Sequence, residues 1–576
     1  MKSEEIQLKS GENTNQSFMK NVSIILFAQF AVKILGLVYR MVITNVDGFL
    51  DKGNGYYSAG FNVYTLLLAL SSVGIPNAIS KMVAERVALG DRRGAHRIFK
   101  TALVLFSFVG IVCTFLMYFG AEWIANAIVL PGAKYVMMAL SPSILFVCVS
   151  SVIRGYFNGL KNMTATSNSQ ILEQVFKCIF TIGIVLAMSA LLIVPDTDGG
   201  AMYKAQMLAA GANLATSIAT VFSFLYLFVF YTRRRNAIIA AQNEDSCETI
   251  EGSFFSVCKS ILLISIPISL GSIISAINRI VDTATITRGI NAGFAEMIPA
   301  HGDVAAIFNP TIKQLEDEAS RLSGMLSKSD TLLNLPIALN IAFATVLVPS
   351  LSGALAVGDK KEASDKVSLS FLISMLIILP CAVGYITLAK PIFRLLYPAA
   401  PDGYQLLMLS SIALIFIALN QTISGSLQGC GKVFAPATGL FIGCIAKFIL
   451  NVILIRIPSI NIYGAPISSI VCQVISFSYG FTVLCRNVPV KITLSRYIAK
   501  PLAASSVMGV FAVVVYKLIY MLLPVNLIAL PVTILGAVIV YFALVFVMKI
   551  LSEDEILQMP AGGKLLSAAK KMGFYR

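Results

Sequence analysis

Long apolar stretches separated by short polar segments run through the whole chain. A helix needs about 20 apolar residues to cross the roughly 30 Å hydrocarbon core of a bilayer, and about fourteen stretches are that long. They lie near residues 22–45, 58–83, 98–119, 135–157, 168–194, 203–231, 256–288, 331–357, 366–389, 405–428, 433–457, 462–485, 497–522 and 526–550. The pattern predicts an all-α polytopic membrane protein.

A polar stretch after the sixth span divides the chain into two halves. We predict a cytoplasmic tail (1–20), an N-lobe of six spans (21–232), a cytoplasmic linker (233–253), a C-lobe of six spans (254–486), two C-terminal helices (487–550) and a second cytoplasmic tail (551–576). A further amphipathic helix is expected at 311–326, on the outer surface or capping a cavity.

Three matches in the same order relate the two halves. Lys20 and Arg40 have the same separation as Lys259 and Arg279, VALGDRRGA from residue 87 resembles LAVGDKKEA from 355, and RGYFNGLKNMTAT from 154 resembles SGSLQGCGKVFAP from 424. Continuing the last match places Lys177 opposite Lys447. Since each repeat holds an even number of spans, both copies insert with the same orientation. The sequence therefore predicts two six-helix lobes around a central cavity.

Composition supports membrane insertion and indicates orientation. The chain has 576 residues, of which 57% are hydrophobic and 13% charged, and its net charge is +15. Lys and Arg concentrate in the loops on the side that holds both termini, so both termini are predicted to be cytoplasmic. The positive charge is thereby explained without a nucleic-acid partner, and these loops are expected to touch membrane lipids.

Charged residues at membrane depth are the candidate functional groups. Lys33 lies about 18 Å along the first span, too deep for its ammonium to reach water easily. The intramembrane cations are Lys33, Arg40, Lys81, Lys177, Arg279, Arg288 and Lys447, and the accompanying carboxylates include Glu173 and Asp282. Matching helices of both lobes carry these cations, which favours a shared cavity for an anionic substrate such as a pyrophosphate or carboxylate.

Structural roles for the same charges remain open. Arg40 could extend to the membrane surface, and Lys81 with Glu85 could sit at the cytoplasmic rim. Glu173 could pair with Lys177, and Arg279 with Asp282, on their own helices. If Glu173 or Asp282 is not fully paired, either could bind a proton or a sodium ion that drives transport.

Signals for an enzyme or a metal site are weak. The two histidines lack metal-ligand spacing, the ten cysteines show no paired motif, and Glu296, His301 and Asp303 fit a solvated loop. We predict a protein that is not an enzyme and has no metal site or cofactor. Coupling to sodium ion, proton or membrane potential stays open.

Three segments resemble a known family: GYYSAGFNVYTLLLALSSVGIPNAISKMVAE from residue 55, VDTATITR from 281, and LSGML with LLNLPIALNIAFATVLVPSLS within 322–352. They are similar to the stage V sporulation protein B and polysaccharide exporters, which belong with the lipid II flippases to the multidrug, oligosaccharidyl-lipid and polysaccharide exporter superfamily. The resemblance implies fourteen MATE-like helices, alternating access, and movement of an undecaprenyl-pyrophosphate-linked sugar across the bacterial cytoplasmic membrane.

The resemblance also implies site residues. Lys33, three positions before Gly36, stands where the lipid II flippases carry a basic residue, Arg40 resembles their second span-one arginine displaced by one residue, and Lys81 follows a Pro-Asn pair as theirs does. The Arg and Glu expected on span eight are Thr331 and Asn334 here. Arg279 and Arg288 are the candidates to replace them.

We therefore expect a flippase for a lipid-linked saccharide, with the peptidoglycan precursor lipid II as the favoured substrate and cell-wall synthesis proteins as candidate partners. The alternatives are a flippase for a spore, capsular or teichoic saccharide lipid, a cation-coupled drug exporter, a membrane glycosyltransferase, and a structural subunit of the envelope or spore coat. A drug exporter would need an acidic cavity for cationic drugs, whereas this cavity is predicted to be basic.

Overall fold

A computed structural model of the protein describes residues 31–72, 74–195, 197–243, 253–297, 312–356, 359–490, 493–557, 566–567 and 570. Within these ranges the chain is helical and contains no β-strand. The helices are α1 (31–44), α2 (Leu50–Ser71), α3 (Ile75–Ala88), α4 (Arg92–Ala127), α5 (Ala133–Gly159), α6 (Thr164–Leu191), α7 (Asp198–Asn243), α8 (Phe254–Met297), α9 (Ile312–Ala356), α10 (Lys360–Leu396), α11 (Tyr404–Gly429), α12 (Ala435–Leu454), α13 (Gly464–Asn487), α14 (Lys500–Leu522), α15 (Asn526–Val547) and α16 (Glu553–Leu557).

Eleven helical stretches in the described ranges are long and apolar enough to cross a membrane, with α2 and α3 forming one of them. A twelfth arises if the two parts of α8, Phe254–Ile266 and Ile268–Ile290, form one span bent by 51°. The chain is thus an all-α multi-pass membrane protein. The total of fourteen spans remains a prediction, since the first predicted span begins outside the described residues. The expected amphipathic helix at 311–326 is, over its described residues, the first part of the long helix α9.

The repeated Gly-Asp motif has the same structural role in both halves. Asp91 precedes α4 and accepts a hydrogen bond from Gly94 N at 2.6 Å, while Asp359 precedes α10 and accepts one from Glu362 N at 2.8 Å. A side-chain oxygen at this position satisfies a backbone N–H that has no partner within the helix. The repeat therefore encodes equivalent helix starts.

The second repeated motif forms the turns between α5 and α6 and between α11 and α12. Lys161 and Gly431 occupy the same motif position, and both adopt left-handed backbone conformations, with φ of 60° and 75°. Each N–H bonds the carbonyl three residues before it, at 3.0 Å in both copies. Glycine suits this conformation because it has no Cβ, so the first copy maintains the turn at a conformational cost.

Two groups of helices account for most of the packing. Helices α2 to α7 pack chiefly on one another around buried apolar side chains, and α9 to α13 do the same around a separate core. Helix α8 contacts α2 of the first group and α12 of the second, while α14 packs on α10 and α15. The division into two six-helix lobes and their limits stay predictions, since α8, predicted as the first helix of the C-lobe, contacts both groups.

The first parts of α2 and α9 join the two groups at one end of the bundle. A Cβ added at Gly55 would lie 1.9 Å from the carbonyl oxygen of Ser320, and one added at Gly324 would lie 1.8 Å from that of Asp51. Only glycine allows the two backbones to approach this closely. We call this contact the α2–α9 clamp.

Ionic and polar contacts reinforce the α2–α9 clamp. Lys328 Nζ lies 2.7 Å from Asp51 Oδ1, and both side chains are almost fully buried. Lys328 also donates to the carbonyl oxygens of Ala400 and Asp402 at 2.6 and 2.9 Å. Because a buried ammonium is stable only when its hydrogen bonds are satisfied, these partners hold Lys328 in place.

A carboxylate of α9 also bonds residues of the first helix group. Glu316 Oε1 accepts hydrogen bonds from Tyr56 OH at 3.1 Å and from Gly132 N at 3.0 Å. Nearby, Lys52 Nζ lies 2.6 Å from Asp317 Oδ2 in a more exposed ion pair. The clamp therefore closes this end of the bundle through buried and partly exposed contacts together.

We predict that Gly324→Ala lowers the melting temperature of the purified protein. The added methyl group would overlap the Asp51 carbonyl, and overpacking of this kind costs about 1–3 kcal/mol. Gly183→Ala in α6 is the matched control, since its Cβ would meet nothing within 4 Å. Thermal unfolding in detergent measures both variants, and equal melting temperatures would contradict the close approach of α2 and α9.

Candidate functional site

Arg40 of α1 is held by side chains of α2. Its Nη1 donates to Asn54 Oδ1 at 2.7 Å, and its guanidinium lies 3.9 Å from the centre of the Tyr57 ring. Asn54 donates in turn to Thr44 Oγ1 at 2.7 Å, which orients its amide oxygen toward the arginine. Arg40 is therefore bound within the helix bundle and does not extend freely toward a membrane surface.

Lys177 of α6 is buried among aromatic rings of α1 and α2. Its ammonium lies 5.4 Å from the centre of the Tyr39 ring and 4.9 Å from that of Phe61. The hydroxyl groups of Tyr39 and Tyr57 are 3.2 Å apart, so the same aromatic group contacts both Lys177 and Arg40. Aromatic faces attract cations, most strongly where water is excluded. Aromatic rings of α1 and α2 thus stabilise two cations largely through their π-systems.

Lys447 of α12 occupies the equivalent repeat position and is stabilised differently. Its Nζ lies 2.6 Å from Asp282 Oδ2 of α8, and the Lys447 side chain is 2% exposed. Asn451, one turn further along α12, donates to Asp282 Oδ1 at 2.9 Å and lies 3.0 Å from Thr285 Oγ1. Both oxygens of Asp282 are therefore engaged by α12.

The sequence left open that Glu173 pairs with Lys177, and Asp282 with Arg279, on their own helices. Neither carboxylate forms that pair. Glu173 accepts from Arg154 Nη2 at 2.8 Å instead of pairing with Lys177, and Asp282 pairs with Lys447 instead of Arg279. In each case a cation from a neighbouring helix approaches the carboxylate more directly than the cation one turn away.

Lys33, Arg279 and Asp330 have exposed side chains, and Arg279 is a charged neighbour of each of the other two. Lys33 has Arg279 and Lys177 as charged neighbours, and Arg279 has Asp330. Asp330 of α9 also faces Arg40, Lys447 and Asp282. These residues belong to α1, α8 and α9, and their charged neighbours Lys177 and Lys447 belong to α6 and α12, so charges of both helix groups surround one region, which we call the central cavity.

Asp330 was not among the sequence-predicted site residues. It lies one position before the apolar span predicted at 331–357, so hydropathy alone does not place it inside the bundle. The sequence feature that could have identified Asp330 is its position next to Thr331, where the family pattern has an arginine.

Two predicted site residues lie away from this cluster. Arg288 donates from Nη2 to the carbonyl oxygen of Ala127 at 2.9 Å, which joins α8 to the end of α4. Lys81 and Glu85 of α3 form a 3.9 Å pair in which both side chains are about 60% exposed, as expected for rim residues. The central cavity therefore comprises Lys33, Arg40, Lys177, Arg279 and Asp330, with the Lys447–Asp282 pair in its wall.

The cavity has the chemistry of an anion site. The cluster contains four cations, Lys33, Arg40, Lys177 and Arg279, and one carboxylate, Asp330, that is not in a direct ion pair, whereas Lys447 and Asp282 neutralise each other. Arg and Lys provide the charge-assisted hydrogen bonds that phosphate and carboxylate oxygens accept. Within the described residues, no group of three His, Cys, Asp or Glu side chains is placed to hold a metal ion.

Two family profiles match the chain. That of the family described as "Polysaccharide biosynthesis protein" covers residues 18–355, and that described as "Lipid II flippase MurJ" covers residues 320–544. Among curated proteins of Bacillus subtilis (strain 168), the lipid II flippase MurJ is 23% identical over 86% of this chain and 88% of its own. The stage V sporulation protein B is 24% identical over 96% of this chain and 99% of its own.

Solved structures share the fold. An inward-facing multidrug resistance MATE transporter of the MOP superfamily superposes with a TM-score of 0.62 at 14% identity, covering 80% of this chain and 98% of its own. A lipid II flippase MurJ in an inward closed conformation gives a TM-score of 0.62 at 17% identity, covering 90% and 97% of the two chains.

We predict that Lys447→Met destabilises the protein by about 3–5 kcal/mol, because it leaves the Asp282 carboxylate without its cation. Adding Asp282→Asn should recover most of the loss, since no charge then remains unpaired. Thermal unfolding in detergent measures the single and double variants.

Lys134→Met is the control for removing a lysine from an ion pair. Its partner Glu122 is 67% exposed, so the change should cost no more than about 1 kcal/mol. A Lys447→Met protein as stable as the Lys134→Met protein would show that the buried pair does not form.

Proposed function

Because the chain belongs to the polysaccharide biosynthesis protein family, we propose that it is a flippase for an undecaprenyl-pyrophosphate-linked saccharide, with lipid II as its substrate. The carrying observation is the central cavity, in which Lys33 and Arg279 expose their charges between two helix groups while Arg40 and Lys177 line the same space. The similarity to a lipid II flippase over most of both chains supports this choice of substrate.

The cavity residues would divide the work of binding. Arg40 and Lys177 are held by Tyr57, Tyr39 and Phe61, so they provide a fixed positive potential. Lys33 and Arg279 are more exposed and can donate directly to pyrophosphate oxygens. Arg279 can contact two oxygens at once through its planar guanidinium, which favours a diphosphate over a single charge.

The α2–α9 clamp supports a transport cycle with two states. It closes one end of the bundle through Gly55, Gly324 and the Asp51–Lys328 pair. By the predicted topology this end faces outward, so the cavity would load from the cytoplasmic side. Opening the clamp while the other end closes would then deliver the headgroup to the outer leaflet.

Ion coupling would require exchange of partners. Glu173 is bonded to Arg154, and Asp282 to Lys447 and Asn451. A sodium ion or proton that binds either carboxylate would weaken its hold on the internal cation, because it neutralises the charge that attracts that cation. If Asp282 binds the coupling ion, Lys447 would be released from Asp282 at the same step.

A flippase for another saccharide lipid is the second candidate. The similarity to the stage V sporulation protein B extends over 96% of this chain, more than that to the lipid II flippase. The same cavity cations would serve, because the pyrophosphate group would be common to both kinds of substrate.

Complementation of a flippase-depleted bacterium tests the proposal. We predict that the native chain restores appearance of lipid II in the outer leaflet and that Lys33→Ala and Arg279→Ala each abolish it, because both remove cavity charge. Lys134→Ala, on an exposed ion pair outside the cavity, should retain transport.

The transport rates of the variants and of the native chain are compared only when the membrane contains each of them in equal amounts. Normal transport by Lys33→Ala and Arg279→Ala would overturn the assignment of the cavity as the headgroup site. A well-expressed native chain that fails to rescue would exclude lipid II and leave the other saccharide lipids as substrates to assay.

A further inference from the structure

Asp330 is a carboxylate in the central cavity, whose other charges outside direct ion pairs are cations. Its charged neighbours are Asp282, Lys447, Arg279 and Arg40, which belong to α8, α12 and α1. Its side chain is exposed, so it meets the water that a substrate headgroup would displace. A negative charge here acts against the binding of an anion, and its presence requires a physical reason.

Asp330 differs from the other carboxylates of the bundle interior. Asp51, Glu173 and Asp282 each have a cation nitrogen within 2.6 to 2.8 Å. Among the described residues, no Lys or Arg nitrogen is placed within 4.0 Å of the Asp330 carboxylate. Asp330 therefore lies near its cations without forming a direct ion pair with any of them.

The position of Asp330 is fixed by the helix that carries it. Lys328, two residues earlier, is bound by Asp51 and by the carbonyl oxygens of Ala400 and Asp402. Two residues correspond to about 200° around a helix, so Lys328 and Asp330 point in nearly opposite directions. The turn that anchors the α2–α9 clamp thereby holds Asp330 in the cavity.

We propose that Asp330 is a built-in counter-anion of the central cavity, which limits how tightly the cavity holds the pyrophosphate headgroup. This inference rests on the proposed function. In the empty protein Asp330 offsets part of the potential of Arg40 and Arg279. When the headgroup enters, its oxygens take over the contacts with these cations, and repulsion from Asp330 favours later release.

The benefit of such a group follows from the needs of transport. A site that holds its substrate very tightly releases it slowly, since most differences in affinity appear in the dissociation rate. Four cations around one pyrophosphate would form such a site. A carboxylate at a distance weakens binding without blocking any contact, because it acts through the electrostatic field.

Asp330→Asn is the direct test, since it removes the charge and keeps the size of the side chain. We expect undecaprenyl pyrophosphate to bind the variant about tenfold more tightly than the native protein in nanodiscs of uncharged lipid. Lipid II flipping in proteoliposomes should be slower. Asp330→Glu, which keeps the charge, should resemble the native protein in both measurements.

Asn334→Ala is the matched control, because Asn334 is an exposed residue one turn further along α9 and carries no charge. It should leave the affinity unchanged. Weaker binding by Asp330→Asn would overturn the inference, since it would identify the carboxylate as a direct acceptor for the headgroup. Unchanged binding and flipping would also overturn it.

The two proposals fail in different ways. If the native chain and Asp330→Asn both bind no undecaprenyl pyrophosphate, the assignment of the cavity to a pyrophosphate lipid falls, and the counter-anion role falls with it. If the native chain binds the lipid and Asp330→Asn behaves identically, only the counter-anion role is excluded.

Discussion

A charge inside a membrane-spanning bundle is stable only beside an opposite charge, an aromatic face, a set of hydrogen-bond acceptors or water. This constraint organises the interior of the protein. Lys447 is paired with Asp282, Lys177 lies among aromatic rings, and Lys328 combines Asp51 with two carbonyl oxygens. Lys33 and Arg279 are exposed, so within a membrane their charges require water or a bound anion. Cations with partners from the protein lie in the α2–α9 clamp and in the cavity wall, whereas the exposed cations lie inside the cavity.

Much of the fold could be predicted because the two halves of the sequence repeat local signals. Helix caps and turns depend on a few adjacent residues, so the repeated motifs correctly relate Asp91 to Asp359 and Lys161 to Gly431. Long apolar runs likewise identify most membrane-crossing helices. These features require no knowledge of which helices are neighbours.

The ion-pair partners could not be predicted because they depend on which helices lie next to each other. Spacing along one helix suggested Lys177 for Glu173, whereas the cation that approaches is Arg154 of the adjacent helix α5. Hydropathy places the start of the eighth span at residue 331, although α9 begins at Ile312. The sequence alone therefore does not identify Lys328 and Asp330 as residues of the bundle interior. A helix that continues beyond its apolar part carries its charges into the interior, and only the packing of α2 against α9 shows this.

Burial of the Asp51–Lys328 pair determines how salt affects the opening of the closed end. Dissolved ions screen exposed charges over about 8–10 Å at physiological ionic strength, but they act much less on a pair whose side chains are 9% and 1% exposed. Separating this pair requires both groups to be rehydrated together. The barrier is thus set mainly by access of water, so the closed end keeps its energy barrier in dilute and concentrated salt alike.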